Sequence, residues 1–397
     1  DEIKATKKNI GWNYPDDFHV PQEVYDFFKS LGDGLQQAYD EWKNTFEQWK
    51  TANPELADMR ERMMSKQTPE NLEFSLLDAV PDEPKATRVI SGSVLQAAAG
   101  AMPGLCGGSA DLTPSNKTYI NNSARLCLEN FACRNFHFGI REHAMGGVMN
   151  GISLYGGFIP YGGTFLVFSD YMRPPIRLSA LMEQQVIYVY THDSFYVGED
   201  GPTHQPVEHL NALRAIPNIR LFRPADGVET AMAWAFAIRR TDGPTILSLT
   251  RQGVPMLERT EGFDPLDVRK GGYVISEAES GDPEIVLMAT GSEVGLAVEA
   301  KKLLGENAAK VRVVSMPCFE LFDAQPEVYR NEVIPPDCEM LAGIEAGSTQ
   351  GWYKYIGRNG LAIGLDHFGA SAPGKVLAEK FGFTPEKVAE RIRERFF

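Results

Sequence analysis

Cysteine is scarce in this sequence: five in 397 residues, Cys106, Cys127, Cys133, Cys318 and Cys338, with no C-x-x-C pair. An odd handful of scattered thiols excludes a disulfide framework and a zinc-ribbon site, and fits a reducing compartment. Long apolar runs are also lacking. No stretch reaches the ~18 consecutive apolar residues that a membrane helix needs, which excludes a helical span. Basic residues are in deficit, 39 Lys and Arg against 53 Asp and Glu, for a net charge of −14. That deficit disfavours nucleic acid or an anionic membrane as partner, because both need a positive surface. It leaves room for an anionic small substrate in a local cationic pocket. No charged-then-apolar leader follows Asp1, so the chain is expected to be a processed or truncated product.

What is present is globular. The hydrophobic fraction is 43% and the charged fraction 23%. Such a chain can bury a large core without staples. The length suits about two to three domains. Residues 1–85 read as a helical linker: Leu35, Tyr39, Trp42, Phe46 and Trp49 recur at spacings of three and four, one apolar helix face. Pro54, Pro69, Pro81 and Pro84 punctuate it. From Arg88 the pattern alternates strand, turn and helix. Val186–Tyr190, Ile219–Phe222, Thr245–Leu249, Ile285–Ala289 and Val311–Ser315 are continuous apolar runs, as in strands covered on both faces. Val228–Arg239 and Glu293–Leu304 read as amphipathic helices between them. The expected fold is therefore α/β, two domains with mainly parallel sheets flanked by helices. The break in pattern at Met256–Asp267 places the domains at 86–262 and 263–397.

Polar clusters fall where such strands should end, and ligands of open parallel sheets bind there. Thr191-His192-Asp193-Ser194 follows one strand, and Gly198-Glu199-Asp200-Gly201-Pro202-Thr203-His204-Gln205-Pro206 comes just after. Two imidazoles and two acids in one short Gly/Pro loop suit donation to a substrate oxygen and acceptance from a hydroxyl. A surface turn with capping groups is the blander reading, and the absence of H-E-x-x-H spacing argues against zinc. In Phe138-Gly139-Ile140-Arg141-Glu142-His143 the acid Glu142 stands at a strand-to-helix junction, where a helix dipole alone would favour it. Gly107-Gly108-Ser109-Ala110-Asp111-Leu112 is a small-residue loop that could admit a ligand close to the backbone. The aromatics Phe165, Phe168 and Tyr171 recur at threes, which by itself is a core-facing stripe. Arg88 and Arg251, taken singly, are surface charges.

Together these motifs resemble transketolase, in order and at about the family's spacings, across nearly the whole chain. The Gly198–Pro206 loop is the most specific of them. The resemblance implies thiamine diphosphate with Mg2+ or Ca2+, and transfer of a two-carbon ketol unit from a ketose phosphate to an aldose phosphate. It implies that Glu142 hydrogen-bonds the aminopyrimidine, protonated in surroundings that raise its pKa. Phe165, Phe168 and Tyr171 would form the pyrimidine pocket, and Asp111 would approach the cofactor. Arg88, Ser115, His192 and Arg251 would hold the substrate phosphate, while Asp200 and His204 would read hydroxyls and move protons. Gly253 where Asn is frequent, and Phe195-Tyr196 in the loop, depart from the common form and bear on acceptor choice.

The resemblance also implies an N-terminal diphosphate-binding domain with Gly-Asp-Gly and a later Asn, holding the metal. Gly32-Asp33-Gly34 has no Asn in the right window and reads as a turn starting a helix. That domain is therefore expected to be absent from this chain, which would be a fragment or one subunit of a split enzyme, with no metal ligands of its own. Expected partners are sugar phosphates, a diphosphate-binding domain or subunit, and further copies in a homodimer or heterotetramer; no nucleic acid or membrane is expected. The expected location is the cytoplasm, or alternatively a plastid stroma, in the pentose phosphate pathway or the Calvin cycle. The competing readings are a deoxyxylulose-phosphate synthase-like enzyme, a pyruvate dehydrogenase beta subunit, and a non-catalytic partner module. The segment from about Gly271 carries no comparable constellation; Ser292 in Ala289-Thr290-Gly291-Ser292-Glu293 is a plausible helix cap.

Overall fold

The computed structural model describes residues 1–397. Asp1–Glu61 and Arg62–Phe397 form two compact units. The first is helical, with α1 (Glu2–Asn9), α2 (Gln22–Ala52) and the start of α3 (Pro54–Met64). Helix α2 runs 31 residues with none buried. Gly32-Asp33-Gly34 lies inside it, not at its start, which corrects the expected turn. Each Gly weakens a helix by about 1 kcal/mol relative to Ala, and same-face hydrogen bonds support the helix on either side of them. Gln22 donates to Asp26 at 3.0 Å, Gln36 to Asp40 at 3.1 Å and Gln37 to Glu41 at 3.0 Å. On the aromatic face Trp42, Phe46 and Trp49 stack in sequence, at 5.5 and 5.7 Å between ring centres.

The second unit alternates strands and helices. In chain order come α4 (Leu72–Leu77), β1 (Lys85–Ala86), α5 (Thr87–Ala101), β2 (Leu105–Ser109), α6 (Thr113–Asn116), β3 (Asn135–His137) and α7 (Glu142–Tyr155). There follow β4 (Ile159–Phe165), α8 (Arg173–Leu181), β5 (Ile187–Thr191), α9 (His209–Arg214), β6 (Arg220–Phe222), α10 (Gly227–Arg239), β7 (Thr245–Leu249) and β8 (Gly253–Val254). Six of these strands form a wholly parallel sheet in the order β3-β2-β4-β5-β7-β6. All residues of β4, β5 and β7 are buried. Helices cover both faces, and this is why these strands read as apolar runs rather than alternations.

A second sheet contains β9 (Tyr273–Ser276), β10 (Ile285–Ala289), β11 (Val311–Ser315), β12 (Met340–Ile344) and β13 (Leu361–Ile363), in the order β13-β12-β10-β11-β9. Only β9 is antiparallel to its neighbour. Helix α11 (Ser292–Lys302) follows β10. Its N-cap is Gly291, with φ 55°, and Ser292 is its first helical residue. The expected Ser292 cap is thus displaced by one position: the turn needs a positive φ, which Gly supplies without strain. A β-carbon at Gly291 would also lie 2.9 Å from Arg223 Cγ. No helix is long and apolar enough to cross a membrane.

The Gly107-Gly108 pair has a different use from the one expected. Both lie within β2, where a β-carbon at 107 would overlap the backbone oxygen of Tyr161 and one at 108 that of Phe136. The close approach that glycine permits here is between neighbouring strands, not to a ligand.

Candidate active site

The strand order reverses at β2, with β3 on one side and β4 on the other. Crevices form at the carboxyl ends of strands beside such a reversal. The sequence-expected residues gather there. Asp111 follows β2 with φ 61°, Ser115 lies in α6, Phe165 ends β4, and Thr191 ends β5. His192 comes next, also with φ 61°. That conformation is uncommon outside glycine. Arg251 lies two residues beyond β7 and is exposed.

The aromatics form a ladder along the crevice rather than a core stripe. Phe165 stacks on His192 with ring centres 3.7 Å apart. Phe168 lies 5.9 Å from Phe165 and 6.1 Å from Tyr171, each pair stacked. Its other neighbour is His204, edge-on at 5.5 Å. Exposure rises along the ladder: Phe165 is buried, Phe168 half-buried and Tyr171 exposed. The 3-10 turn Leu166–Met172 that carries Phe168 and Tyr171 packs on α7. Glu142 is the first residue of α7 and is buried, 9% exposed.

The cationic groups share one neighbourhood. Arg88 Nη1 donates to Ser115 O at 2.7 Å. Burial, and then the charge of Arg251, lower the Arg88 pKa. Burial, followed by Arg88, Arg251 and His204, pulls the His192 pKa down from 6.5 to about 3. The imidazole is therefore neutral near pH 7, and the positive charge of the crevice belongs to the two guanidiniums. An anion between them would be met by planar, charge-assisted donors.

The Gly198–Pro206 loop turns on two glycines with positive φ, Gly198 at 85° and Gly201 at 79°. Asp200 is exposed and His204 half-buried, with Thr203 Oγ1 2.8 Å from His204 Nδ1. Gln205 is buried and donates through Nε2 to Gly198 O at 2.8 Å and to Ala370 O at 2.9 Å. Ser371 Oγ donates to Glu199 O at 2.5 Å. The segment after the second sheet thus clamps the loop from outside. Sequence reasoning quoted Gln205 within its motif but gave it no part.

Three more groups were missed. Asn116 is fully buried and donates to Thr191 Oγ1 at 2.6 Å. Arg223, on the turn after β6, ion-pairs with Asp193, the residue after His192. Neither had a local signal beyond a polar residue near a strand end. His209 is buried with Nε2 3.2 Å from Asp170 Oδ2, which ties α9 to the turn bearing Phe168.

Comparison with known proteins gives three family matches along the chain. Residues 83–256 match the transketolase pyrimidine binding domain, and 271–384 match the transketolase-like C-terminal domain. Residues 1–69 match the transketolase thiamine diphosphate binding domain. This last match overturns the expectation that the diphosphate domain is absent. The matched segment is helical without a strand, so it offered none of the strand-loop signatures by which that domain was sought. A transketolase of Aquifex aeolicus (strain VF5) is 46% identical over 399 residues, covering 100% of this chain and 57% of its own length. A Pichia stipitis transketolase solved in complex with sedoheptulose-7-phosphate superposes with a TM-score of 0.90 at 40% identity, over 98% of this chain and 57% of that one. A split-gene transketolase described as an inactive beta4 tetramer superposes at 0.61 with 26% identity, over 78% of this chain and 97% of its own. The chain spans between 57% and 59% of the length of three curated transketolases that it matches.

Proposed function

The chain belongs to the transketolase family, and we propose from this that it takes part in thiamine diphosphate-dependent transfer of a two-carbon ketol unit between sugar phosphates. The observation that carries the reading is the cluster at the strand ends: an aromatic ladder that begins on a neutral imidazole beside two guanidiniums, and a buried carboxyl on the helix against which the ladder's turn packs.

The aromatic ladder and Glu142 fit an aminopyrimidine: a flat ring needs a flat wall, and a ring nitrogen needs one hydrogen-bonding carboxyl. When bound, the cofactor supplies the carbanion-stabilising chemistry. Phe165, Phe168 and Tyr171 would wall the ring, with Phe168 stacking. Glu142 would hold the ring nitrogen and manage its proton. Asp111 would approach the cofactor from the loop after β2. Arg88, Ser115, His192 and Arg251 would hold the substrate phosphate, and Asp200 and His204 would orient hydroxyls and relay protons during transfer. No residue is assigned to a divalent metal.

The pyrimidine-binding portion is taken as 86–262 and the C-terminal portion as 263–397. Further copies of the chain are the proposed macromolecular partner, in a homodimer or heterotetramer. Ile140, Leu154 and Tyr155 are exposed on and beside α7. Exposed apolar side chains at the two ends of one helix are of the kind that a subunit contact covers. The crevice's phosphate-binding cations disfavour a pyruvate dehydrogenase-like substrate, which has no phosphate.

The test is ketol transfer by the purified enzyme, with xylulose 5-phosphate as donor and an aldose phosphate as acceptor. Glu142→Gln should abolish transfer and leave circular dichroism unchanged. Near-normal turnover in that variant would remove Glu142 from its role. Use of pyruvate as donor would move the chain to the deoxyxylulose-phosphate synthase-like reading.

A further inference from the structure

We propose that a buried relay through Ser109, Asn116 and Thr191 fixes His192 as its Nε2–H tautomer, so that this ring presents a donor, and never an acceptor, to the anion held between Arg88 and Arg251. Asn116 and Thr191 are then positioning residues for His192. The inference rests on the proposed role of His192 toward a phosphate.

The relay is a matter of proton counting. The backbone N–H of Leu112 donates to Ser109 Oγ at 3.1 Å. Ser109 passes its single proton to Asn116 Oδ1 at 2.7 Å. The Asn116 amide is thereby oriented with Nδ2 toward Thr191, and donates to Thr191 Oγ1 at 2.6 Å. Thr191 has one proton of its own, and His192 Nδ1 lies 2.8 Å away. Thr191 Oγ1 is fully buried and touches only Asn116 Nδ2 and His192 Nδ1, so with Asn116 donating to it, its own proton finds an acceptor only where Nδ1 is the bare nitrogen and Nε2 carries the hydrogen.

The opposite direction fails at its far end. Were the Asn116 amide turned, Ser109 Oγ would accept from both Leu112 N and Asn116 Nδ2. Its proton would then have no acceptor at a site 1% exposed. Buried polar groups are rarely left so. Water offers no substitute, since Asn116 and Thr191 are 0% exposed and His192 is 6%.

Two further features hold the ring. It stacks on Phe165 at 3.7 Å, and its backbone is left-handed. The short helix α6 serves the site twice, because Ser115 O anchors Arg88 while Asn116 orients His192. The lowered His192 pKa keeps the ring neutral, so that its tautomer has meaning near pH 7. The unprotonated oxygens of a phosphate only accept, and match two guanidiniums and an Nε2–H.

The test uses long-range proton–nitrogen NMR of the protein labelled with 15N-histidine, near neutral pH. In the unaltered chain His192 should show a bare Nδ1 and a protonated Nε2. Asn116→Asp replaces the donor by an acceptor, draws the Thr191 proton away and should switch the ring to Nδ1–H. Thr191→Val should give mixed tautomers and bind inorganic phosphate about three- to tenfold more weakly, the loss of one aligned hydrogen bond. Thr191→Ser should restore both. An Nδ1–H ring in the unaltered chain, or a tautomer indifferent to Asn116→Asp, overturns the relay. If the tautomer switches but inorganic phosphate binds all forms equally, the relay stands and the phosphate role of His192 falls.

Discussion

Arg223 Nε donates to Asp193 Oδ2 at 2.9 Å, and neither side chain is exposed at all. The same guanidinium donates to Thr290 O at 2.9 Å and pairs with Glu293. Burial works against its charge, but Glu293, Asp193 and Glu345 outweigh it and raise its pKa. Glu345 in turn takes a two-pronged contact from Arg214, at 2.7 and 2.8 Å, and a hydrogen bond from Thr290 Oγ1 at 2.6 Å. One buried charged network therefore joins the second sheet to the residue beside His192.

Removing a partner from such a network leaves carboxylates buried without a counter-charge. Arg223→Met should therefore cost about 3–5 kcal/mol, read as a fall in the urea midpoint at unchanged slope. A loss below about 1 kcal/mol would mean that water reaches the network.

Gln205 holds the Gly198–Pro206 loop to the segment beyond the second sheet. Gln205→Leu keeps the volume and deletes both donations, each worth about 1 kcal/mol. Amides of residues 198–206 should exchange with deuterium faster, while those of β5 keep their protection. Uniform acceleration across the sheet would show that Gln205 supports the whole fold rather than the loop.

The pH dependence follows from His192. Its native pKa of about 3 lies below the ordinary 6.5. As pH falls below 6.5 the unfolded chain takes up this proton first, so stability from this group is present above 6.5 and is lost toward about 3. The urea midpoint should drop on acidification, and less steeply in His192→Gln. Parallel pH curves for the two proteins would contradict the buried, cation-flanked setting of the ring.

Arg251 is exposed yet faces Arg88 and His192. Arg251→Ala should raise KM for phosphorylated substrates about ten- to hundredfold, from about 1.5–3 kcal/mol of charge-assisted contact. Phosphate-free sugars should be spared. Equal weakening of both would place Arg251 outside the phosphate site.

The sequence by itself determined the parallel sheet and which polar loops follow the ends of its strands. A strand covered on both faces must be apolar throughout. Strands β5 and β7 were legible for that reason, with β5 shifted one residue from its expected place. The Gly198–Pro206 loop was legible because its residue types are dense and local. The first 69 residues were misread, since helix-forming composition does not say to which domain a helix belongs. Only the tertiary structure decided which polar groups meet. Arg223 finds Asp193 from 30 residues away and Glu293 from 70. Asn116 reaches Thr191 across 75 residues. Periodicity encodes which face of an element is buried. The partner on that face is chosen by strand order and crossover, and in a buried site a polar side chain must take whichever partner the fold delivers, because water is not there to replace it.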